Sequence, residues 1–502
     1  MRRPARLGMI ASSATANASV AVDRSSTTGV AVRWFLGGLL AIAFGVALAV
    51  FSPRFGYAYE VGAMPVLWLA AGLVLAGLVY CLCLPQLIAD SLSCDPREVR
   101  VIVAGTIAAG LLARLVLFAS EPILEDDYQR YLWDGAVTAS GDNPYALSPK
   151  DARAQGGALR ELAREGGEIV RRINHPELRT VYPPVTQAAF ALAHMLEPWS
   201  LTAWRSVLLI FDLATLALVL LLLREAGRSP LWSALYWWNP IVIKELFNSA
   251  HMEAVVLPFV LLALWLALRH RPLASVSSLA FAVGAKLWPV LLLPLLVRWY
   301  GQADRRMFVN AAVLFAAIIA ALALPLWLGG LDRQSGFAAY FSSWQTGSAL
   351  FPILERAVAM PLSWLALPPE AAGLVARGII ALSLVTIALV VSRKQIENAD
   401  DLLGRASLVV AALVLLSPVQ FPWYAVWFAP FLAFRPSTGF LLLAATLPLY
   451  YLDFYFIGRG QPEIFTDVIV WIIWVPVWAA LAFETIAAAI APSPARPSCT
   501  RA

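Results

Sequence analysis

The stretch that decides the fold is Val101-Ile-Val-Ala-Gly-Thr-Ile-Ala-Ala-Gly-Leu-Leu-Ala-Arg-Leu-Val-Leu-Phe-Ala-Ser120, followed at once by Glu121-Pro-Ile-Leu-Glu-Asp-Asp-Tyr-Gln-Arg-Tyr-Leu-Trp-Asp-Gly135. The first part is an apolar run of about 20 residues, the length that an α-helix needs to cross a bilayer. The second part is dense in charged and aromatic side chains. A membrane helix that leads into such a patch predicts a functional site at the membrane surface.

The polar patch has the spacing of a short helix. Its residues Asp127, Arg130, Tyr131 and Asp134 would share one face, because positions i, i+3, i+4 and i+7 align on a helix. Asp126 and Asp127 are adjacent carboxylates, which repel unless a cation, a proton or a cationic side chain lies between them. That arrangement suits a general base or a metal ligand. An ordinary ion pair between Asp126 and Arg130 on a solvated helix is an equal alternative.

Composition sets the class of protein. Of 502 residues, 60% are hydrophobic and only 14% are charged, whereas soluble globular proteins carry about a quarter charged residues. We therefore predict an all-α polytopic membrane protein.

The net charge of +5 is spread over loop arginines and not gathered on one face, which argues against a nucleic-acid partner. The four cysteines lack the spacing of a zinc or redox site, and no Walker A or zinc-hydrolase motif is present.

Hydropathy over windows of about 20 residues predicts about twelve full crossings. These lie near residues 34–51, 64–84, 100–119, 201–223, 231–248, 252–268, 308–328, 372–392, 404–419, 422–434, 438–457 and 466–490. Three further apolar pieces must enter and leave on the same side as hairpins or interfacial helices, namely residues 181–198, 273–297 and 350–367.

The distribution of arginine and lysine orients these spans. Cytoplasmic loops carry an excess of these residues, which places Arg97, Arg224, Arg269 and Arg393 in the cytoplasm together with both termini. The acidic patch then lies on the outer side. The glycine-containing end of the following loop, Asp151 to Arg179, is either a mobile cover over a site or a flexible surface loop without a role.

Several ionisable residues lie at membrane depth, where charge is costly and usually functional. Lys286 stands in Phe-Ala-Val-Gly-Ala-Lys286-Leu-Trp-Pro-Val and either neutralises a phosphate or extends toward the interface. Polar residues bracket the turn between two predicted spans on the outer side, namely Glu245, Asn248, His251 and Glu253. The histidine with nearby acids makes this turn a candidate part of the site.

Two charged residues lie deeper inside their spans. We expect Arg114 and Asp212 to pair with each other within the helix bundle, because opposite charges in a membrane protein usually compensate one another.

Taken in order, these motifs resemble a known family. The first outer loop resembles that of GT-C glycosyltransferases, above all bacterial polyprenyl-phosphate-mannose-dependent mannosyltransferases and the first mannosyltransferases of the GPI-anchor pathway. The similarity rests on Glu125-Asp-Asp-Tyr-Gln-Arg-Tyr-Leu-Trp-Asp-Gly135, Gly141-Asp-Asn-Pro-Tyr145 and Val181-Tyr-Pro-Pro184. It continues through Trp238-Asn-Pro240, His251-Met-Glu253, Lys286-Leu-Trp-Pro289 and Ser417-Pro-Val-Gln-Phe-Pro-Trp-Tyr424.

The resemblance covers about residues 100–435 and implies a domain organisation. A GT-C-type catalytic membrane core spans residues 100–435, with its outer loop at residues 120–182. The remaining parts are a disordered cytoplasmic tail (1–33), two additional spans (34–99), C-terminal spans (436–491) and a cytoplasmic tail (492–502).

The resemblance also implies an activity. A hexose, expected to be mannose, would pass with inversion from a polyprenyl-phosphate donor to a hydroxyl of a glycan or glycolipid. The enzyme would lie in the cytoplasmic (inner) membrane, surrounded by lipid, with its active site on the outer face. The acidic motif would supply the catalytic residues, Glu125, Asp126 and Asp127. The family's common Asp-x-Asp form is replaced by Glu-Asp-Asp, so a divalent cation, Mg²⁺ or Mn²⁺ on Asp127, stays open.

The substrate-binding residues implied by the matched motifs share a polar or aromatic character. They are Arg130, Trp133, Asp134, Asn143, Tyr145, Tyr182, Glu245, His251, Glu253, Lys286, Trp423 and Tyr424.

A different class of protein stays open as the alternative. A transporter or flippase of lipid-linked or small polar substrates would also have broken helices and charges near the membrane midplane. Against it, the strongest acidic patch lies at the surface and no inverted repeat is evident. A ligase for lipid-anchored polymers is a third reading.

Overall fold

The computed structural model describes residues 24–301, 305–365, 367–368 and 370–490. It is 78% helical and, within these ranges, without strands, which confirms the predicted all-α class. Extended pairing in the described chain is limited to an isolated bridge between Thr346 and Val419. The predicted tails at residues 1–23 and 492–502 lie outside the described residues, as does Cys499.

Eight helices of the described chain are long and apolar enough to cross a membrane. They are Gly29–Phe55, Val66–Asp90, Pro96–Ala119, Leu201–Glu225, Arg305–Gly329, Glu370–Val391, Thr438–Ile457 and Phe465–Ile490. A ninth crossing is formed if the helix pair Pro240–Asn248 and Met252–Leu268, bent by 106°, counts as one span. The polytopic membrane architecture is confirmed, but the described chain has fewer crossings than the twelve we expected.

The lower count has identifiable causes. The predicted spans at 231–248 and 252–268 join into the single bent pair. The predicted span at 422–434 breaks into a 3₁₀ turn, Pro422–Trp427, and one short α-turn, Ala429–Leu432, because proline cannot continue a helix. Helix Ala399–Leu416 carries Asp400, Asp401 and Arg405, too much charge for an ordinary span.

The three apolar pieces expected not to cross are indeed short. They form helices Pro184–Leu196, Pro272–Ala285 with Leu293–Trp299, and Leu350–Trp364. At 1.5 Å per residue the longest is about 22 Å long, less than the hydrocarbon thickness of about 30 Å. Lys286 lies directly at the break between Pro272–Ala285 and the 3₁₀ turn Trp288–Leu292.

The first helix begins earlier than predicted, at Arg24, so residues 24–33 are not a disordered tail. Tertiary contacts explain the difference. Arg33 forms an ion pair with Asp90 at 2.8 Å, and Val30 packs against the hydrophobic core.

The acidic patch forms the predicted helix, Asp127–Ala139. It packs on helix Pro184–Leu196 so closely that a Cβ added at Gly135 would lie 2.4 Å from the carbonyl oxygen of Phe190. Only glycine permits this approach of the two backbones. The close packing fixes the acidic residues at the start of the helix relative to the bundle.

The segment after this helix is largely helical. It contains the short helices Pro149–Ala154, Ala158–Glu165 and Gly167–Arg171. They enclose a small separate core made of Trp133, Val137, Ala152, Ala163, Val170 and Ile173. Burial of these apolar side chains holds the segment against the acidic helix. We call residues 149–179 the cover segment.

The expected ion pair within the bundle is confirmed. Arg114 Nε donates to Asp212 at 2.6 Å, and both side chains are fully buried. Arg114 also donates to the carbonyl oxygens of Gly110 and Trp237 at 3.0 and 2.9 Å. These contacts compensate the positive charge of Arg114 inside the helix bundle.

Candidate active site

The acidic loop, residues 120–126, is held by the bent span. The side-chain amide of Asn248 donates to Ser120 Oγ at 3.1 Å and to the carbonyl oxygen of Glu121 at 2.9 Å, while its oxygen accepts from the Ile123 amide at 3.2 Å. Arg205 donates to the carbonyl oxygens of Ser120 and Asn248 at 2.8 and 2.9 Å. Two distant segments are thereby fixed as one unit.

Backbone strain marks both segments of this unit. Leu124 has φ 56° and Ala250 has φ 61°, a left-handed conformation that is uncommon for residues other than glycine. Each lies immediately before a site residue, Glu125 or His251. The bent span also contains a π-helical turn at Lys244–Asn248, a feature that concentrates at functional sites.

A buried hydrogen-bond network joins Glu125 of the acidic loop to Glu245 of the bent span. The Tyr451 hydroxyl lies 3.1 Å from Glu125 Oε1 and 2.9 Å from Glu245 Oε1. Lys244 Nζ donates to the same hydroxyl and, at 2.7 Å, to Ser249 Oγ, and it lies 3.5 Å from Glu245 Oε2. The lysine thus compensates part of the carboxylate charge, which is required because buried like charges repel.

His251 completes this cluster. Its Nε2 lies 3.5 Å from Glu125 Oε2 and 3.7 Å from Glu245 Oε2. Its Nδ1 lies 3.4 Å from the Tyr131 hydroxyl. The imidazole stacks on Trp423 with a centroid distance of 3.9 Å, so the ring has a fixed orientation.

The same three residues could hold a metal ion. Ligand atoms of Glu125, Glu245 and His251 all lie within 4.8 Å of one another. Two observations bear on the fit. His251 Nε2 is buried and has no hydrogen-bond partner in the described part of the chain, which leaves it available as a ligand. Lys244 instead places a competing positive charge beside Glu245. A nitrogen donor favours Mn²⁺ over Mg²⁺, which prefers oxygen.

The two adjacent aspartates differ in their surroundings. Asp126 accepts a hydrogen bond from Asn174 of the cover segment at 2.7 Å. Asp127 begins the acidic helix, where the helix dipole stabilises negative charge, and its Oδ2 lies 3.4 Å from the Tyr131 hydroxyl. Asp127 Oδ2 is also 3.9 Å from His251 Nδ1, outside the three-residue group described above.

Burial changes the acidity of this loop. It raises the pKa of Asp126 to about 7, and the nearby charges of Asp127 and Glu125 contribute to the rise. Burial likewise raises the pKa of Glu125 to about 8, in spite of the opposing charge of Lys244. Carboxyl groups with a pKa near neutrality can exchange protons at physiological pH, as general bases must.

Arg130 and Asp134 form the main ion pair of the acidic helix, at 3.0 Å. The alternative pair of Asp126 with Arg130 is therefore not formed. Asp134 also accepts hydrogen bonds from Thr180 and, at 3.1 Å, from Gln187. Arg130 donates to the carbonyl oxygen of Leu178 at 2.8 Å. In this structure both residues bind the end of the cover segment and the turn that follows it.

Four other predicted residues lie around that turn. Trp133 is buried in the small core of the cover segment. Asn143 donates to the carbonyl oxygen of Pro325 at 2.9 Å, and the Tyr145 hydroxyl donates to the carbonyl oxygen of Tyr182 at 2.7 Å. Tyr182 itself packs edge-on against Tyr131 at 5.0 Å, which brings it to the acidic helix.

Lys286 contacts the bent span and an aromatic ring. Its Nζ forms an ion pair with Glu253 Oε1 at 2.9 Å and lies 4.8 Å from the centroid of the Tyr424 ring. Glu253 is buried, and its Oε2 has no hydrogen-bond partner among the described residues. The side chain of Lys286 is therefore held against the bent span by Glu253.

Some residues of the site were not predicted. Lys244 had a visible signal, since it stands next to Glu245 inside an apolar run. Tyr451 and Asn174 had none, because a tyrosine in an apolar segment and an asparagine in a charged loop are both ordinary. Only folding brings Tyr451 to Glu125, more than 300 positions earlier in the chain.

Residues 31–301 match the family described as alpha-(1->6)-mannopyranosyltransferase, N-terminal domain. The chain belongs to this family. The matched range is more than half of the chain, and it includes the acidic loop, the bent span and Lys286. No curated protein and no solved structure matches the chain.

Family membership confirms the expected class of enzyme. The protein is a membrane glycosyltransferase of a mannosyltransferase family, consistent with the GT-C resemblance. Such an enzyme acts on a sugar donor and a glycan acceptor. Trp423, Tyr424 and Tyr451 lie beyond the matched range, so the candidate site also includes residues from the C-terminal part of the chain.

Proposed function

We propose that the protein transfers mannose from a polyprenyl-phosphate donor to an acceptor hydroxyl on the outer face of the inner membrane, with inversion. The family description favours an α-(1→6) linkage in the product. An inverting displacement that yields an α-linked product requires a β-linked donor. The acceptor is then a glycan or glycolipid with a free primary hydroxyl.

The observation that carries this proposal is the convergence of opposite charges at one end of the bundle. Glu125 and Asp127 approach His251 of the bent span, and Lys286 pairs with Glu253 of the same span. A lipid-linked sugar would bring its phosphate to this depth without a nucleotide-binding motif, which the sequence lacks. Aromatic side chains lie beside both groups, since Tyr182 packs on Tyr131 of the acidic helix and Tyr424 lies against Lys286.

The proposed mechanism is a single displacement. A carboxylate of the acidic loop, Asp126 in our assignment, accepts the proton of the acceptor hydroxyl as its oxygen attacks the anomeric carbon. The bond from this carbon to the phosphate oxygen breaks on the opposite face, and the electron pair leaves with the phosphate near Lys286. Asp127 and Glu125 are the alternatives for the base.

A divalent cation fits the mechanism in one place. Glu125, Glu245 and His251 would hold it, and the ion would supply positive charge beside the acidic loop. In its absence Lys244 and the Tyr451 hydroxyl compensate the same carboxylates.

The proposal is tested with purified protein in liposomes, labelled polyprenyl-phosphate mannose and candidate acceptors. We expect Asp126→Asn to lower turnover by about a hundredfold or more, because the amide keeps the size of the side chain but cannot accept the proton. Asp142→Asn is the matched control, since Asp142 is exposed just after the same helix and its side chain bonds, within the described residues, only with Ser140.

Two outcomes would contradict the assignment. Full transfer by both Asp126→Asn and Asp127→Asn would exclude a base in this pair. Failure of the wild-type protein to use the lipid-linked donor, with transfer from a nucleotide sugar instead, would exclude the proposed donor class.

A further inference from the structure

The loop between the first two spans, residues 56–65, reaches the site from outside the range that the sequence motifs cover. Just before this loop, the buried hydroxyl of Ser52 accepts a hydrogen bond from the Glu121 amide at 3.0 Å. The start of the loop approaches the same residue, since a Cβ added at Gly56 would lie 3.0 Å from Glu121 Oε2. We call residues 56–65 the N-terminal loop, and these contacts fix it beside the acidic loop.

Tyr57 lies where the N-terminal loop meets the acidic helix and the cover segment. Its hydroxyl accepts a hydrogen bond from Gln129 Nε2 at 2.6 Å, and the guanidinium of Arg172 lies 4.2 Å from the centroid of its ring. Arg172 is itself held by Glu168 at 3.2 Å. The surface of Tyr57 is nevertheless 54% exposed. The two partners therefore orient the tyrosine and leave much of it accessible to a ligand.

Both partners of Tyr57 belong to segments that contact Asp126. The backbone amide of Gln129 donates to the Asp126 carbonyl oxygen at 3.0 Å, so Gln129 lies in the first turn of the acidic helix. Arg172 stands two residues before Asn174, which donates to the Asp126 carboxylate at 2.7 Å. The exposed part of Tyr57 is therefore next to the proposed base.

Gln129 has hydrogen-bonding capacity that the fold does not use. Its side chain is buried, with the residue 1% exposed. Its Nε2 serves Tyr57, whereas its Oε1 is buried without a hydrogen-bond partner in the described part of the chain. A buried acceptor without a donor is costly. A ligand that carries hydroxyl groups supplies donors of the kind that this oxygen lacks.

Tyr59, in the same loop, provides a comparison. It is exposed to nearly the same extent, 52%, as expected of a tyrosine at a membrane–water interface. In the described part of the chain it makes none of the contacts that hold Tyr57. Tyr57 thus differs from an ordinary interfacial tyrosine in its bond to a buried amide and in the guanidinium over its ring.

We propose that Tyr57, Gln129 and Arg172 form a subsite for the acceptor glycan, which binds the sugar unit next to the one that reacts. The inference rests on the proposed function, in which Asp126 takes the proton of the acceptor hydroxyl and the acceptor must lie beside it. A tyrosine ring offers an apolar face to the C–H groups of a sugar, and amide and guanidinium groups bind its hydroxyls. A polyprenyl chain has no hydroxyl groups, so this chemistry suits the acceptor and not the lipid of the donor.

The test compares a short and a long acceptor, methyl α-mannoside and α-(1→6)-linked mannotriose, in liposomes with polyprenyl-phosphate mannose. Only mannotriose can react through its terminal unit and reach the subsite at the same time. We expect Tyr57→Ala to raise the KM for mannotriose about tenfold, while the KM values for methyl α-mannoside and for the donor change by less than about twofold. Tyr59→Ala is the matched control and should leave all three values unchanged.

Tyr57→Phe separates contact with a sugar from a structural role. Phenylalanine keeps the ring and loses the bond to Gln129, so the KM for mannotriose should stay within about threefold of the wild-type value. If Tyr57→Phe and Tyr57→Ala instead lower the melting temperature and raise every KM alike, Tyr57 only holds the loop in place and the proposal is wrong. An unchanged KM for mannotriose in Tyr57→Ala would also overturn it.

A binding measurement without donor distinguishes this inference from the proposed function. Saturation-transfer NMR should detect mannotriose on the wild-type protein and on Tyr59→Ala, but only weakly on Tyr57→Ala. Equal signals from all three proteins would refute the subsite, even if transfer occurs as proposed. A wild-type protein that binds mannotriose in this way but does not use the lipid-linked donor would support the subsite and refute the proposed function.

Discussion

The hydrogen bond from Asn174 to Asp126 leads to a prediction about the pH dependence of transfer. Asn174 stabilises the ionised form of Asp126, whose pKa burial raises to about 7. Replacing Asn174 by alanine removes this donor. The pKa of Asp126 must then rise, because one stabilising partner of the carboxylate is lost while burial is unchanged.

The size of the effect follows from the contact. A hydrogen bond of this kind contributes about 1 kcal/mol, and about 1.4 kcal/mol corresponds to a tenfold change in ionisation. At pH 7 the ionised fraction of Asp126 would fall from about one half to about one sixth. A base works only when ionised, so activity rises with pH through its pKa, and a higher pKa moves this rise to higher pH.

The assay is kcat/KM for the donor between pH 5.5 and 9.5. We expect Asn174→Ala to be about threefold slower than the wild type at pH 7 and equal to it at pH 9. Arg171→Ala is the control, because Arg171 lies in the same cover segment and bonds with exposed Glu168. A loss by the same factor at every pH would show that Asn174 only orders the cover segment and would refute the assignment of Asp126 as the base.

Two other predictions follow from the charges of the site and from the topology. Lys286→Met should lower the melting temperature, because buried Glu253 loses its partner. Adding Glu253→Gln should restore the melting temperature while the donor KM stays high. A normal donor KM in the double variant would assign Lys286 to structure. A cysteine at Gly156 should react with an impermeant reagent from outside the cell, whereas a cysteine at Ala226 should not; the reverse labelling would place the acidic loop in the cytoplasm and exclude the lipid-linked donor.

The class of the protein and the identity of its acidic helix were predictable because both depend on local pattern. An apolar run of bilayer length predicts a membrane helix, and the charged residues around Glu125-Asp-Asp predict that the chain leaves the membrane there. Neither prediction depends on how the rest of the chain folds. The pairing of Arg114 with Asp212 was equally predictable, since the membrane interior leaves two opposite charges few other partners.

The number of crossings was not predictable from hydropathy. An apolar stretch such as residues 422–434 has the composition of a span, but its prolines break the helix. Such a broken segment is stable only where protein surrounds it and satisfies its backbone, and residues 422–434 are all buried. Hydropathy measures the cost of contact with lipid and does not show whether lipid or protein is the neighbour.

The sequence by itself determined the all-α membrane class, the acidic helix and the order of the motifs, because these follow from residue type and spacing along one segment. The tertiary structure decided which groups meet. It brought Tyr451 to Glu125 and Glu245, Lys244 to Tyr451, and Asn174 to Asp126. The physical reason is that charge compensation in a membrane bundle acts over a few ångströms in space, and side chains within that range come from segments hundreds of residues apart.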